Sequence, residues 1–190
     1  MGKARLEAFS DGVLAIIITI MVLELKVPLD TTWHSLFERW PIFLSYALSF
    51  IFVGIYWGNH HHLVHTVKHV TGNIMWSNML LLFWLSLIPF ATQWLGITSA
   101  ASTPTAVYAI VLLGCAFAYQ KLQSAIAAQQ TDKAGKLAHQ SSSKKGLLSL
   151  VCYLSGFALS FVYPPVSIAL FVFVAGLWLM PDKRFEAAVH

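Results

Sequence analysis

The sequence predicts an all-α polytopic membrane protein with six transmembrane helices per protomer. Two observations carry this. Of its 190 residues 57% are hydrophobic and only 11% charged, against roughly 25% charged in an average soluble domain. No Asp, Glu, Lys or Arg occurs from Val70 to Gln120 or from Gly146 to Pro181. Runs of that length are too long for soluble core helices and read as spans of about 20 residues each. Residues 1–190 form a single six-helix domain with no room for a separate soluble catalytic domain.

The first helix, about 3–27, stops at Pro28. Its apolar run, Gly12 to Leu23, is bounded by Asp11 and Glu24. A lipid-facing helix needs about 20 apolar residues, and a carboxylate so near the core is costly in lipid. This helix is therefore expected to cross inside a protein assembly. Glu7 and Asp11 interrupt the approach to the run, and no small-residue cleavage site follows it; it is not read as a secretory signal. The second helix, about 41–66, opens on Pro41, suited to a first turn. Gly72-Asn73 breaks the chain before the third helix, about 73–95, where Pro89 predicts a kink or early end. A small uncharged loop leads to the fourth, about 104–128, starting at Pro104. Residues 129–145, rich in Gln, Ser, Lys and His, are expected to form a mobile cytoplasmic loop. The fifth helix, about 146–163, ends at Pro164-Pro165, and the sixth covers about 165–180.

The formal charge of +4 does not indicate nucleic-acid binding, because the cations sit between spans and form no basic-aromatic groove. With the N-terminus inside, Lys3, Arg5, Lys68, Lys121, Lys133, Lys136, Lys144, Lys145, Lys183 and Arg184 are inside and only Lys26 and Arg39 outside. That bias places both termini in the cytoplasm. Cys115 and Cys152 fall within apolar spans and read as small packers. Trp33, Trp40, Trp94 and Trp178 sit near helix ends as interfacial anchors. Gly54 and Gly58 form a small-x-x-x-small pair that permits close helix packing. No hydrolase triad, nucleotide loop or serine nucleophile pattern occurs, and the chain is not read as an enzyme.

At 100° per residue, Gly12, Ile16, Thr19 and Leu23 form one narrow seam on the first helix. Around an axis shared by several copies, Ile16 and Leu23 would be apolar constrictions and Thr19 a hydroxyl ring between them. Glu24 would add negative potential at the outer mouth, partly offset by Lys26. The same spacing fits an ordinary buried helix whose Thr19 hydroxyl bonds a carbonyl one turn back.

Arg5 and Asp11 lie on different helix faces, so each needs a partner elsewhere. The second helix offers Asn59, His60, His61, His62, His65 and His69, and the third offers Trp76 and Asn78. An Asp11 held by such donors would pin the helices together; a proton relay is the other use of the same groups. His61 and His65, at i, i+4, have a spacing that can ligate zinc. With no H-E-x-x-H, no nearby Cys ligand and only Asp11 as a membrane carboxylate, no metal site is expected.

The stretch Arg5-x-x-x-Phe9-Ser10-Asp11, followed by Gly12 to Thr19, resembles the R-x-x-x-F-S-D signature of the lysosomal transmembrane-protein-175 potassium channels and their prokaryotic relatives. Tyr56 to His61 and Asn78 to Leu82 resemble that family too, so the likeness covers three helices closely. It implies a potassium-permeable cation channel in the plasma membrane of a prokaryote, a homotetramer whose first helices line a central pore. No T-V-G-Y-G filter occurs here, as in that family. The resemblance puts constrictions at Ile16 and Leu23, a polar layer at Thr19, and a buried network at Arg5, Phe9, Ser10 and Asp11. It implies no cofactor, only a permeant potassium ion and modest selectivity. This chain holds one copy of the unit where animal members hold two. The rival readings are a proton-coupled small carrier using Asp11 and the second-helix histidines, and a membrane scaffold that transports nothing.

Overall fold

The computed structural model of the chain describes residues 2–129 and 133–179. Among the described residues there are eight helices: α1 (Lys3–Leu23), α2 (Trp33–Phe37), α3 (Trp40–His65), α4 (Gly72–Ser86), α5 (Ile88–Ile97), α6 (Ser102–Ala127), α7 (Lys133–Leu159) and α8 (Pro164–Leu179). Taken with α4 and α5 as one segment, Gly72–Ile97, four helices are long and apolar enough to cross a membrane. The fifth and sixth expected spans correspond to shorter apolar helices, Lys145–Leu159 and Pro164–Leu179. At 1.5 Å per residue the 16 residues of α8 reach about 24 Å, less than the roughly 30 Å hydrocarbon core.

Local chemistry sets the boundaries. The Thr32 hydroxyl caps α2 by accepting from the Ser35 amide at 3.3 Å, and Thr71 caps α4 by accepting from the Ile74 amide at 3.3 Å. Pro41 stands in the first turn of α3, where a missing N–H costs nothing. The third expected span is broken at Leu87. Pro89 cannot donate to the Leu85 carbonyl, and its ring crowds that turn.

One expectation is corrected. The segment expected as a loop over 129–145 is helical from Lys133 onward, because α7 begins there. Ala134, Lys136, Leu137, Ala138, Lys144 and Lys145 are all good helix formers, and a polar helix has the same composition as a polar loop. Residues 130–132 of that segment and position 180 of the sixth helix lie outside the described residues, as do the side chains of Lys133, Lys136, Lys144, Lys183 and Arg184.

The centre of the bundle is α6, which packs against α3, α4, α5, α7 and α8, while α1 lies at the edge on α3, α4 and α5. Tyr108, Leu112 and Leu122 of α6, Phe52 of α3 and Phe171 of α8 are all buried. Cys115 and Cys152 are buried free thiols in this core. One buried polar knot ties three helices together: Ser49 and Tyr108 share a hydrogen bond of 2.8 Å, and Thr92 Oγ1 lies 2.6 Å from Ser49 Oγ and 2.7 Å from the Ile88 carbonyl. Such groups find partners because no water is present to substitute.

Close approach between helices occurs where a side chain would be in the way. Cβ on Gly96 would stand 2.9 Å from the Ile42 Cα, and one on Gly114 would penetrate the Trp84 indole. Gly54 and Gly58, the pair marked by spacing, have open space beside them in the protomer; that motif closes no contact within one chain. Gly114→Ala should therefore destabilise the bundle by about 1–3 kcal/mol through overpacking. Gly176→Ala, where the added methyl meets nothing, is the control. Thermal unfolding in detergent measures both, and equal stability of the two variants would refute the packing argument.

Candidate pore helix and its anchors

The helix α1 is apolar all round, so hydrophobicity does not assign its faces; the fold does. Leu6, Ser10, Leu14, Ile17 and Met21 are buried against the bundle. On the opposite side Gly12, Ile16, Thr19 and Leu23 are all exposed, Ile16 at 60% and Leu23 at 73%. The seam read from spacing thus lies on the outward face of the protomer and is not buried within it. The hydrogen bond that went with that reading does form: the Thr19 hydroxyl donates to the Ala15 carbonyl at 2.9 Å. A hydroxyl has one proton, so the Thr19 oxygen keeps its lone pairs for whatever lies outward.

The four signature residues divide between the two faces. Ser10 is buried, its hydroxyl donating to the Leu6 carbonyl at 2.9 Å and accepting from Asn78 Nδ2 at 3.0 Å. Asn78 Oδ1 in turn pairs with His60 Nε2 at 2.7 Å. The amide nitrogen is committed as a donor, so His60 must donate from Nε2. This chain joins α1, α4 and α3. His60 Nδ1 is buried without a partner among the described residues. Arg5 and Phe9, expected in a buried network, are exposed and stand outside it. They lie within about 40° of the line through Ile16 and Leu23 at 100° per residue, far round the helix from Ser10.

Asp11 is half-buried and accepts from Trp57 Nε1 at 3.0 Å. Trp57 was not among the candidate partners, and among the described residues no histidine is hydrogen-bonded to Asp11. The reason is register. Lys3 Nζ donates to the His65 carbonyl at 2.5 Å, Glu7 pairs with His61 Nδ1 at 2.9 Å, and Asp11 meets Trp57. Each step of four residues forward on α1 matches four backward on α3, as two antiparallel helices require. The i, i+4 spacing of Glu7 and Asp11 against that of Trp57 and His61 is the signal that could have found these rungs.

The other candidates are placed elsewhere. Asn59 Nδ2 donates to the Ile55 carbonyl at 2.8 Å. His62 is exposed with its ring against His61, and Trp76 is 69% exposed. At the far end of α1, Glu24 is half-buried and accepts a hydrogen bond from Gln93 Nε2 of α5. A neutral donor leaves its negative charge in place. Arg39 Nη1 donates to the Lys26 carbonyl at 3.1 Å and holds the loop after α1. Trp178, expected as an interfacial anchor, packs edge-on against Tyr119 and donates to Ser149 Oγ at 2.8 Å.

Residues 5–89, which take in most of α1 and all of α2, α3 and α4, match the family model of the endosomal/lysosomal potassium channel TMEM175. A potassium channel of Chryseobacterium sp. (strain P1-3) is 53% identical over 190 residues, covering 100% of this chain and 98% of its own. The crystal structure of a lysosomal potassium-selective channel TMEM175 homolog from Chamaesiphon minutus matches the fold with a TM-score of 0.83 at 30% identity, over 93% of this chain and 96% of that one. The endosomal/lysosomal proton channel TMEM175 of Gallus gallus is 34% identical over 105 residues, 49% of this chain and 21% of its own length. With a signature-bearing helix, an all-helical membrane fold and full-length similarity to bacterial relatives, this chain belongs to the TMEM175 family.

Proposed function

We propose that the chain is the protomer of a potassium-permeable cation channel, a homotetramer in which four copies of α1 surround the ion path. The observation that carries this reading is the two-sided character of α1. One face is pinned to the bundle by Ser10, Asp11 and Glu24, and the other leaves Gly12, Ile16, Thr19 and Leu23 exposed on the surface of the protomer. The relatives described as potassium channels support the channel part of this reading.

In this reading Ile16 and Leu23 form apolar constrictions that gate by dewetting, and the Thr19 oxygens replace part of the hydration shell between them. An ion crossing such barriers keeps much of its water, so selectivity for potassium is modest. Arg5 and Phe9 face neighbouring copies at the inner end of the same stripe, and Glu24 draws cations to the outer mouth. The protein sits in the plasma membrane of a prokaryote with both termini cytoplasmic. A carrier relaying protons between Asp11 and the histidines of α3 finds no support in the geometry, because Asp11 meets an indole.

Recording from purified protein in a planar bilayer tests the proposal. Unitary potassium current steps are expected. Saturable flux without steps would favour a carrier, and no flux at all a scaffold. A tetramer is expected in detergent; a monomer leaves α1 without an axis to line. Thr19→Val keeps the shape of the side chain and removes its oxygen. It should lower unitary potassium conductance and flatten the preference for potassium over sodium, and unchanged currents would remove Thr19 from the ion path.

A further inference from the structure

Where α1 meets α3 near the N-terminus, one carboxylate and two imidazoles converge. His61 Nδ1 lies 2.9 Å and His65 Nε2 3.7 Å from the same oxygen, Glu7 Oε1. The two rings stand edge to face with centroids 4.5 Å apart. One ligand atom from each of the three residues lies within 4.8 Å of the others. None of the three takes part in the chain from Ser10 to His60 or in the outward seam of α1.

We propose that Glu7, His61 and His65 bind a first-row transition-metal dication of the zinc type. Tetrahedral zinc with bonds of about 2.0–2.2 Å holds its ligand atoms roughly 3.3–3.5 Å apart, and the two measured separations bracket that value. Small side-chain rotations complete the fit. Two neutral imidazoles and one carboxylate are a nitrogen-rich set that suits zinc, nickel or copper and disfavours magnesium or calcium. Three protein ligands leave the fourth position to water.

The surroundings allow entry. The side chains of His61 and Glu7 are 44% and 20% exposed, and that of His65 is 59% exposed. Among the described residues, the charged or titratable groups around the cluster include Lys3, held on the His65 carbonyl, His62, against the His61 ring, and the buried His60, close enough to interact electrostatically with Glu7 and His61. Asp11 sits one turn away on Trp57. The single Glu7 carboxylate halves the charge of a bound dication. A metal here ties α1 to α3 across 54 residues of sequence, a spacing no local motif reveals.

The test is titration of the full-length protein in detergent with Zn2+ above pH 7, where free imidazole is neutral. One zinc ion per chain is expected. Losing even an indirect supporting group costs 10–100-fold in metal affinity; Glu7→Gln, His61→Ala and His65→Ala should each weaken binding by more than about tenfold. His62→Ala and His69→Ala should leave it unchanged. His65 is the most exposed ligand, so His65→Ala should retain the fold. Co2+ in place of zinc should give the visible bands of a four-coordinate site in the parent and not in His65→Ala. Absence of zinc binding, or binding that survives His65→Ala, would overturn the proposal, as would binding lost only with His62 or His69. None of these readouts depends on ion conduction.

Discussion

Ile16→Asn should raise potassium conductance and weaken discrimination among monovalent cations. In the proposed tetramer four Ile16 side chains meet at one level, and a ring of branched alkyl groups opposes wetting of the path. Asparagine is smaller and carries an amide that water and ions solvate. A barrier lowered by about 1.4 kcal/mol corresponds to a tenfold faster passage, so an increase of about tenfold or more is expected. Ile16 is 60% exposed in the protomer, so the change should leave the bundle intact. Unitary conductance and reversal potentials under mixed potassium and sodium measure both effects. A tetramer of Ile16→Asn with unchanged currents would show that the ions pass elsewhere.

Asn78→Leu should produce the largest loss of stability of any single polar change near α1. Asn78 is fully buried and is bonded at both ends of its amide, to Ser10 and to His60. Ser10 keeps the Leu6 carbonyl as its acceptor. His60 is left with neither nitrogen partnered, because its Nδ1 has no partner already. A buried donor deprived of its acceptor costs about 1–3 kcal/mol. Replacing both partners by apolar groups is far less harmful than replacing one. The double variant His60→Leu/Asn78→Leu should therefore recover part of the loss, with a coupling between about 0.6 kcal/mol, the average between membrane helices, and their maximum of about 1.7 kcal/mol. Thermal unfolding of the parent, both single variants and the pair closes this cycle. Strictly additive losses would mean that the two side chains do not act as a unit.

Much of the fold was legible because membrane spans leave coarse marks. Charge-free runs located the apolar helices, Pro41 marked a helix start, Pro164-Pro165 the turn between the last two helices, and Pro89 the break between α4 and α5. The polar stretch before Gly146 misled, since composition does not separate a polar helix from a loop. The seam on α1 followed from periodicity alone. Its anchors did not. Ser10 and Asn78 are 68 residues apart, and their meeting depends on how α1 and α4 are rotated. Glycines gave the same lesson, with the spaced pair Gly54 and Gly58 left open while Gly96 and Gly114 take the close contacts.

By itself the sequence determined that the chain is helical, lies in a membrane and carries on α1 a stripe of Gly12, Ile16, Thr19 and Leu23. These follow from composition and a period of 3.6, which are properties of one helix at a time. Only the tertiary structure decided that the stripe faces outward, that Trp57 rather than a histidine holds Asp11, and that Glu7 meets His61 and His65. A helix that is apolar on every side has no polar face to turn toward water. Its rotation is set instead by packing and by a few hydrogen bonds to distant partners. The antiparallel register of α1 on α3 then fixes every rung between them at once.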